Sequence, residues 1–127
     1  MNDEVIKIYE REEEINLLVE RLRQFSFDSF IKTKHFFYSL DEKGQNIEFL
    51  KEKFNEFERI KLIAKRKHKN DKISYDFYYL LDDNSYILYA IALDEEKPIM
   101  LNAFQVQRNF RHFRNALIKA YKDKLIG

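Results

Sequence analysis

Residues Ile73–Gln107 read ISYDFYYLLDDNSYILYAIALDEEKPIMLNAFQVQ. Three runs rich in β-branched, aromatic and aliphatic residues stand out: Ile73–Leu81, Tyr86–Leu93 and Ile99–Val106. Asp82-Asp83-Asn84-Ser85 separates the first two, and Asp94-Glu95-Glu96-Lys97-Pro98 the last two. Strand-like runs joined by short polar turns predict an antiparallel meander. Such a sheet has to bury at least one face, and helices from elsewhere in the chain are its natural cover.

Immediately upstream, Arg59–Lys67 predicts a basic first strand. Ile60, Leu62 and Ala64 are expected on one side, with Arg59, Lys61, Lys65 and Lys67 on the other and Ile63 among them. His68–Lys72 is the polar turn into the meander. Further back, Asn46 fits as the cap of a helix whose face carries Ile47, Leu50, Phe54 and Phe57. Ile15, Leu18, Val19 and Leu22 recur at helical spacing, so residues 11–24 predict an amphipathic helix with an acidic outer face. Downstream, Phe110, Phe113, Leu117 and Tyr121 share one face of a final helix over residues 109–125. Two stretches stay open: Val5–Tyr9 reads as a strand or the first turns of a helix, and Ile31–Leu40 as a strand or the start of a helix. The expected fold class is α+β, an antiparallel four-stranded meander sheet packed against N-terminal helices with a C-terminal helix. Residues 1–127 read as a single domain.

Composition narrows the chemistry. A hydrophobic content of 45% argues against disorder. The absence of cysteine excludes disulfides, thiolate metal sites and a cysteine nucleophile. No apolar run approaches a membrane span, and the N-terminus opens on acidic residues rather than a signal pattern, so a soluble cytoplasmic protein with no membrane partner is expected. Gly44 is the only glycine before the terminus, which leaves no phosphate-cradling loop or dinucleotide fingerprint. His35, His68 and His112 are far apart in sequence and form no compact ligand motif, so no metal and no cofactor are expected. Asp83 with Glu95-Glu96-Lys97 faintly matches the carboxylate–Glu-x-Lys pattern of metal-dependent nucleases, but it falls in a turn beside Pro98.

The net charge of +1 conceals an uneven distribution. Between residues 59 and 72 stand seven bases against one acid, and between 108 and 124 six bases against one. Such asymmetry marks a polyanion-facing side or a solvated charged surface. Basic, imidazole and phenol side chains scattered on or beside the sheet are sufficient for metal-free RNA cleavage, in which the ribose 2′-hydroxyl is the nucleophile. The protein then supplies a base, an acid and cations for the charge that develops on phosphorus.

The order helix–helix–meander–helix, with a basic first strand, resembles the RelE/ParE-like toxins and the wider group sharing their barnase–EndoU–colicin–RelE type of fold. The closest local likeness is KHFFYSLDEKG, Lys34–Gly44, followed by Ile47. In one branch of the group a His opens a helix, a basic residue follows eight positions later, and a second helix begins after a Gly-Ile-like step; His35, Lys43 and Ile47 match that pattern. LNAFQVQR, Leu101–Arg108, resembles the group's final strand. Lys43 stands where Arg is usual, and the last helix is longer than in most members.

The resemblance implies a metal-independent endoribonuclease of toxin–antitoxin type, acting on RNA and neutralised by a separate antitoxin protein. It implies His35 as general base or acid with Lys43 nearby, and Arg59, Lys61, Lys65 and Arg66 holding phosphate. Tyr75 or Tyr78 would stack or donate a proton, and Gln107 and Arg108 would close the site. Lys34, Lys67, His68, Arg111 and His112 complete the expected RNA-binding lining. Two readings from other classes stand beside it. One is a non-enzymatic nucleic-acid-binding module using the same basic face. The other is a homodimeric interaction domain, in which the acidic first helix meets the basic face of a second copy.

Overall fold

The computed structural model describes residues 4–122 and the backbone of Leu125–Ile126. Its strands are β1 Glu4–Tyr9, β2 Ile31–Lys32, β3 Ile60–Lys67, β4 Ile73–Asp82, β5 Ser85–Ala92, β6 Ile99–Val106 and β7 Leu125–Ile126. Its helices are α1 Glu12–Leu22, α2 Lys34–Glu42, α3 Ile47–Phe54 and α4 Phe110–Ala120. The fold is α+β, with one mixed sheet in the order β2-β6-β5-β4-β3-β1-β7. Strands β3 to β6 pair antiparallel with their chain neighbours. The expectation of four strands is corrected, because β1 pairs antiparallel along β3 and two short parallel pieces flank the whole. Val5 and Ile8 explain the addition. Both are fully buried, and β1 occupies an edge of β3 that would otherwise expose unpaired backbone groups.

The open stretch at Ile31–Leu40 contains both of its alternatives. Ile31–Lys32 pairs with β6, and α2 then starts behind Thr33, whose side chain accepts from the Phe36 N–H at 3.0 Å. Asn46 caps α3 as expected, accepting from Glu48 N–H at 2.9 Å and Phe49 N–H at 3.2 Å. The facing expected for β3 is corrected. Its register shifts between Ile60 and Leu62, and one extra residue moves side chains to the opposite face. Ile60 and Ile63 therefore join the core under the first three helices, while Leu62 and Ala64 join the core on the far side.

Two apolar layers result. On one face α1, α2 and α3 bury Ile15, Leu18, Leu22, Phe36, Leu50 and Phe54 against Phe77, Tyr79, Ile87, Tyr89 and Ile91. The Tyr79 and Tyr89 hydroxyls donate to the Phe54 and Leu50 carbonyls at 2.7 and 2.6 Å, which ties α3 to the sheet and satisfies groups near its end. On the other face α4 lays Phe110, Phe113 and Leu117 over Leu62, Ala64, Tyr78 and Tyr86. Helix α4 ends at Ala120, short of the expected residue 125; residues 123–124 lie outside the described residues, and Leu125 belongs to a strand beside β1. Among the described residues no helix is long and apolar enough to cross a membrane.

Candidate nucleic-acid interface on the α4 face

Helix α4 covers only part of its face of the sheet. Beyond Tyr78 a row of directly paired residues crosses four strands: Ala64 on β3, Asp76 on β4, Ala90 on β5 and Asn102 on β6. Direct pairing puts their side chains on one side. The next row toward α4 is Leu62, Tyr78, Leu88 and Phe104. Ala90 and Phe104 belong to neither hydrophobic core and are partly exposed. The small side chains of Ala64 and Ala90 leave Asp76 between two low neighbours.

Asp76 is a carboxylate in the middle of a strand, only 4% exposed. Arg66, at the next outward-facing position of β3, donates from Nε to its Oδ2. Burial pushes the Asp76 carboxyl above the usual aspartate range, and the Arg66 and His68 charges and a Tyr78 hydrogen bond only partly offset that push. For Arg66, burial is the largest single influence and lowers basicity, but the Asp76 charge and hydrogen bond together with Tyr78 more than offset it, so the guanidinium is held more firmly protonated. The Tyr78 phenol is raised by burial and by the adjacent carboxylate. On the side away from α4, His68 Nε2 lies 2.8 Å from the Ser74 hydroxyl, and Ser74 pairs directly with Arg66. Asp76, Arg66, His68, Ser74 and Tyr78 thus form one polar cluster, in which every buried side-chain polar atom among the described residues has a partner.

Of the residues singled out from sequence, Arg66 and His68 meet here, with Lys67 on the adjoining rim in an ion pair with Asp71 at 3.3 Å. Lys43 reaches the same face from the opposite edge. It caps the end of α2, donates to Ser39 Oγ at 2.7 Å, and places Nζ 4.5 Å from the Phe104 ring centroid. The constellation centred on His35 is not assembled. The buried side of α2 is Phe36 and Ser39, so His35 and Lys34 project into solvent on the helix-covered side of the sheet. Two helical turns, about 12 Å, separate His35 from Lys43. Tyr75 is also on the helix-covered side, buried beneath Arg21 and Asp94, with Lys65 Nζ 5.9 Å from its ring centroid.

The other expected residues serve elsewhere. Arg59 is paired with Glu56 and donates to the Leu80 and Leu81 carbonyls, clamping the end of β4. Lys61 is exposed at the β3 register shift. Arg108 lies against the Tyr86 phenol, whose burial raises it and whose guanidinium neighbour pulls it back. Gln107 and His112 are exposed near the start of α4. Arg111 lines a separate cleft of about 590 Å³ with Leu80, Asp83, Asn109, Phe110 and Arg114. The Asp83–Glu95 pattern is a pair of turns, with Glu95 bound to Lys72 at 3.4 Å, and no metal-holding cluster occurs among the described residues.

The residues that sequence reasoning passed over are Asp76, Ser74 and Asn102. The available signal was a charge in the middle of the apolar run ISYDFYYLL, where an acid has no structural advantage. Compared with protein-family models, with curated proteins and with solved structures, the chain matches none.

Proposed function

We propose that this chain is a metal-independent endoribonuclease of toxin type, working through the polar cluster on the α4 face rather than through His35. The observation that supports the reading most is Asp76. A buried carboxyl with raised pKa, held between small residues and touched by an arginine, has the character of a general base poised nearer neutral pH. In the proposed step the Asp76 carboxylate takes the proton of a ribose 2′-hydroxyl, and that oxygen attacks the adjacent phosphorus. The P–O5′ bond breaks, and the leaving oxygen takes a proton from His68. The products are a 2′,3′-cyclic phosphate and a 5′-hydroxyl. Arg66 neutralises charge on the phosphoryl oxygens, and Tyr78 holds the Asp76 carboxyl by hydrogen bonding.

The test is cleavage of a defined RNA by purified protein in EDTA, with growth on induced expression as a second readout. Asp76→Asn is expected to lower the rate about 10²–10⁴-fold, whereas His35→Ala leaves it unchanged. Cleavage that requires added Mg²⁺, or that survives loss of both Asp76 and His68, overturns the proposal.

One observation favours a second reading. Asp76 is almost sealed beneath its neighbours, which suits an ion pair that positions Arg66 for RNA binding without cutting. That reading expects salt-steep RNA binding, no cleavage product, and loss of binding when Lys67 and Arg66 are changed to Glu.

A further inference from the structure

We propose that Phe104 and Asn102 on β6 form a nucleobase-binding subsite, which receives the base of a nucleotide whose phosphate lies toward Arg66. The inference rests on reading the α4 face as an RNA-binding face; it adds the place where a base is held and the edge by which it is read.

Three features single out this spot. Among the described residues Phe104 pairs with no other ring, unlike most phenylalanines of the chain, and it belongs to neither apolar core. Its ring is partly exposed on the same face as Asp76 and carries the Lys43 ammonium at 4.5 Å. A ring with a cation beside it offers stacking and a charge for the neighbouring phosphate together. Asn102 supplies direction. Its Oδ1 accepts from the Ala103 N–H at 3.0 Å, and its amide nitrogen has no partner among the described residues. The fixed acceptor leaves an NH₂ group as the free end, which suits a base presented through a ring carbonyl. Uracil, cytosine and guanine carry that group; adenine offers only ring nitrogens, and with Oδ1 committed to Ala103 the two-point contact an asparagine makes to adenine's N6 and N7 edge is not available. Ala90 lies between Asn102 and Asp76, so no bulky side chain blocks the two strand spacings, about 10 Å, from base to catalytic carboxyl.

The chain contains no tryptophan, so Phe104→Trp introduces a single reporter. The probes are hexauridylate and hexaadenylate, titrated at low salt onto Asp76→Asn protein, which binds without cutting. The expected results are saturable quenching of the introduced indole by hexauridylate, weaker binding of hexaadenylate, and a loss of about tenfold or more in hexauridylate affinity for Phe104→Ala. Asn102→Ala is expected to narrow the difference between the two probes. A tryptophan placed instead at Phe37, exposed on α2, controls for non-specific quenching and should not respond. The subsite is overturned if neither oligonucleotide binds, if Phe104→Ala binds as tightly as its parent, or if the Phe104→Trp reporter is silent while binding is seen by anisotropy. Because binding is read without cleavage, the two readings separate: if the Asp76→Asn protein stacks a base here but the parent protein never cuts RNA, the nuclease reading goes and the subsite stands.

Discussion

The two faces of the sheet meet the problem of buried polarity in opposite ways. Beneath α1–α3 the buried polar groups are neutral hydroxyls: Tyr79 and Tyr89 donate to the Phe54 and Leu50 carbonyls, Tyr75 reaches Asp94 at the rim, and Ser39 and Ser85 accept from Lys43 and Gln105. Around them Phe54 touches the rings of Phe27, Phe30, Phe57, Tyr79 and Tyr89. On the α4 side the buried groups include, beside the Ser74 hydroxyl, a carboxylate paired with an arginine that is itself partly open to water. Neutral hydroxyls that find a carbonyl lose little on burial, whereas a carboxylate loses much even when paired. The first face is arranged for stability. The second keeps a costly group that packing alone does not explain, which is the usual mark of a functional surface.

That contrast can be broken experimentally, most forcefully at Phe54. Phe54→Ala removes the ring shared by five neighbours, and denaturant unfolding should show a loss of about 3–5 kcal/mol; a loss below about 1 kcal/mol would mean the helix-side layer is not the stabilising one. Tyr79→Phe and Tyr89→Phe should each cost about 0.5–1.5 kcal/mol, because each leaves a helix carbonyl without its buried donor. Asp76→Asn should do the reverse. With the folded-state pKa raised, the stability this carboxyl contributes is present at low pH and lost as pH rises through that pKa. At neutral pH the variant should therefore unfold at higher denaturant than the parent. The gap should shrink as pH falls toward the ordinary aspartate value of about 3.9. A variant that is less stable at every pH would show that the Arg66 pair is a net structural asset and that the two faces do not differ in kind. The smallest effect is expected at His35. His35→Ala touches an exposed side chain and should change stability by no more than about 0.5 kcal/mol, and under the proposed function it should leave RNA cleavage at the parental rate.

Local sequence determined the elements. Hydrophobic spacing at Ile15–Leu22, the Asn46 cap and the polar turns at Asp82–Ser85 and Asp94–Pro98 each act within a few residues, and all of them appear where they are expected. The candidate site was less legible. Arg66 and His68 stood out by charge, but Asp76 was hidden in an aromatic run and His35 drew attention through a spacing motif. Which side of a helix faces outward depends on what it packs against, and α2 turns Phe36 inward and His35 away. Only the tertiary structure decided that β1 extends the sheet, that a register shift in β3 sends Leu62 and Arg66 to the face opposite Ile60, and that Lys43 rounds the β6 edge to meet Phe104. The physical reason is the same in each case. Propensity and periodicity are properties of neighbours along the chain, whereas strand pairing and the meeting of Asp76 with Arg66 join residues that become neighbours only once the sheet has closed.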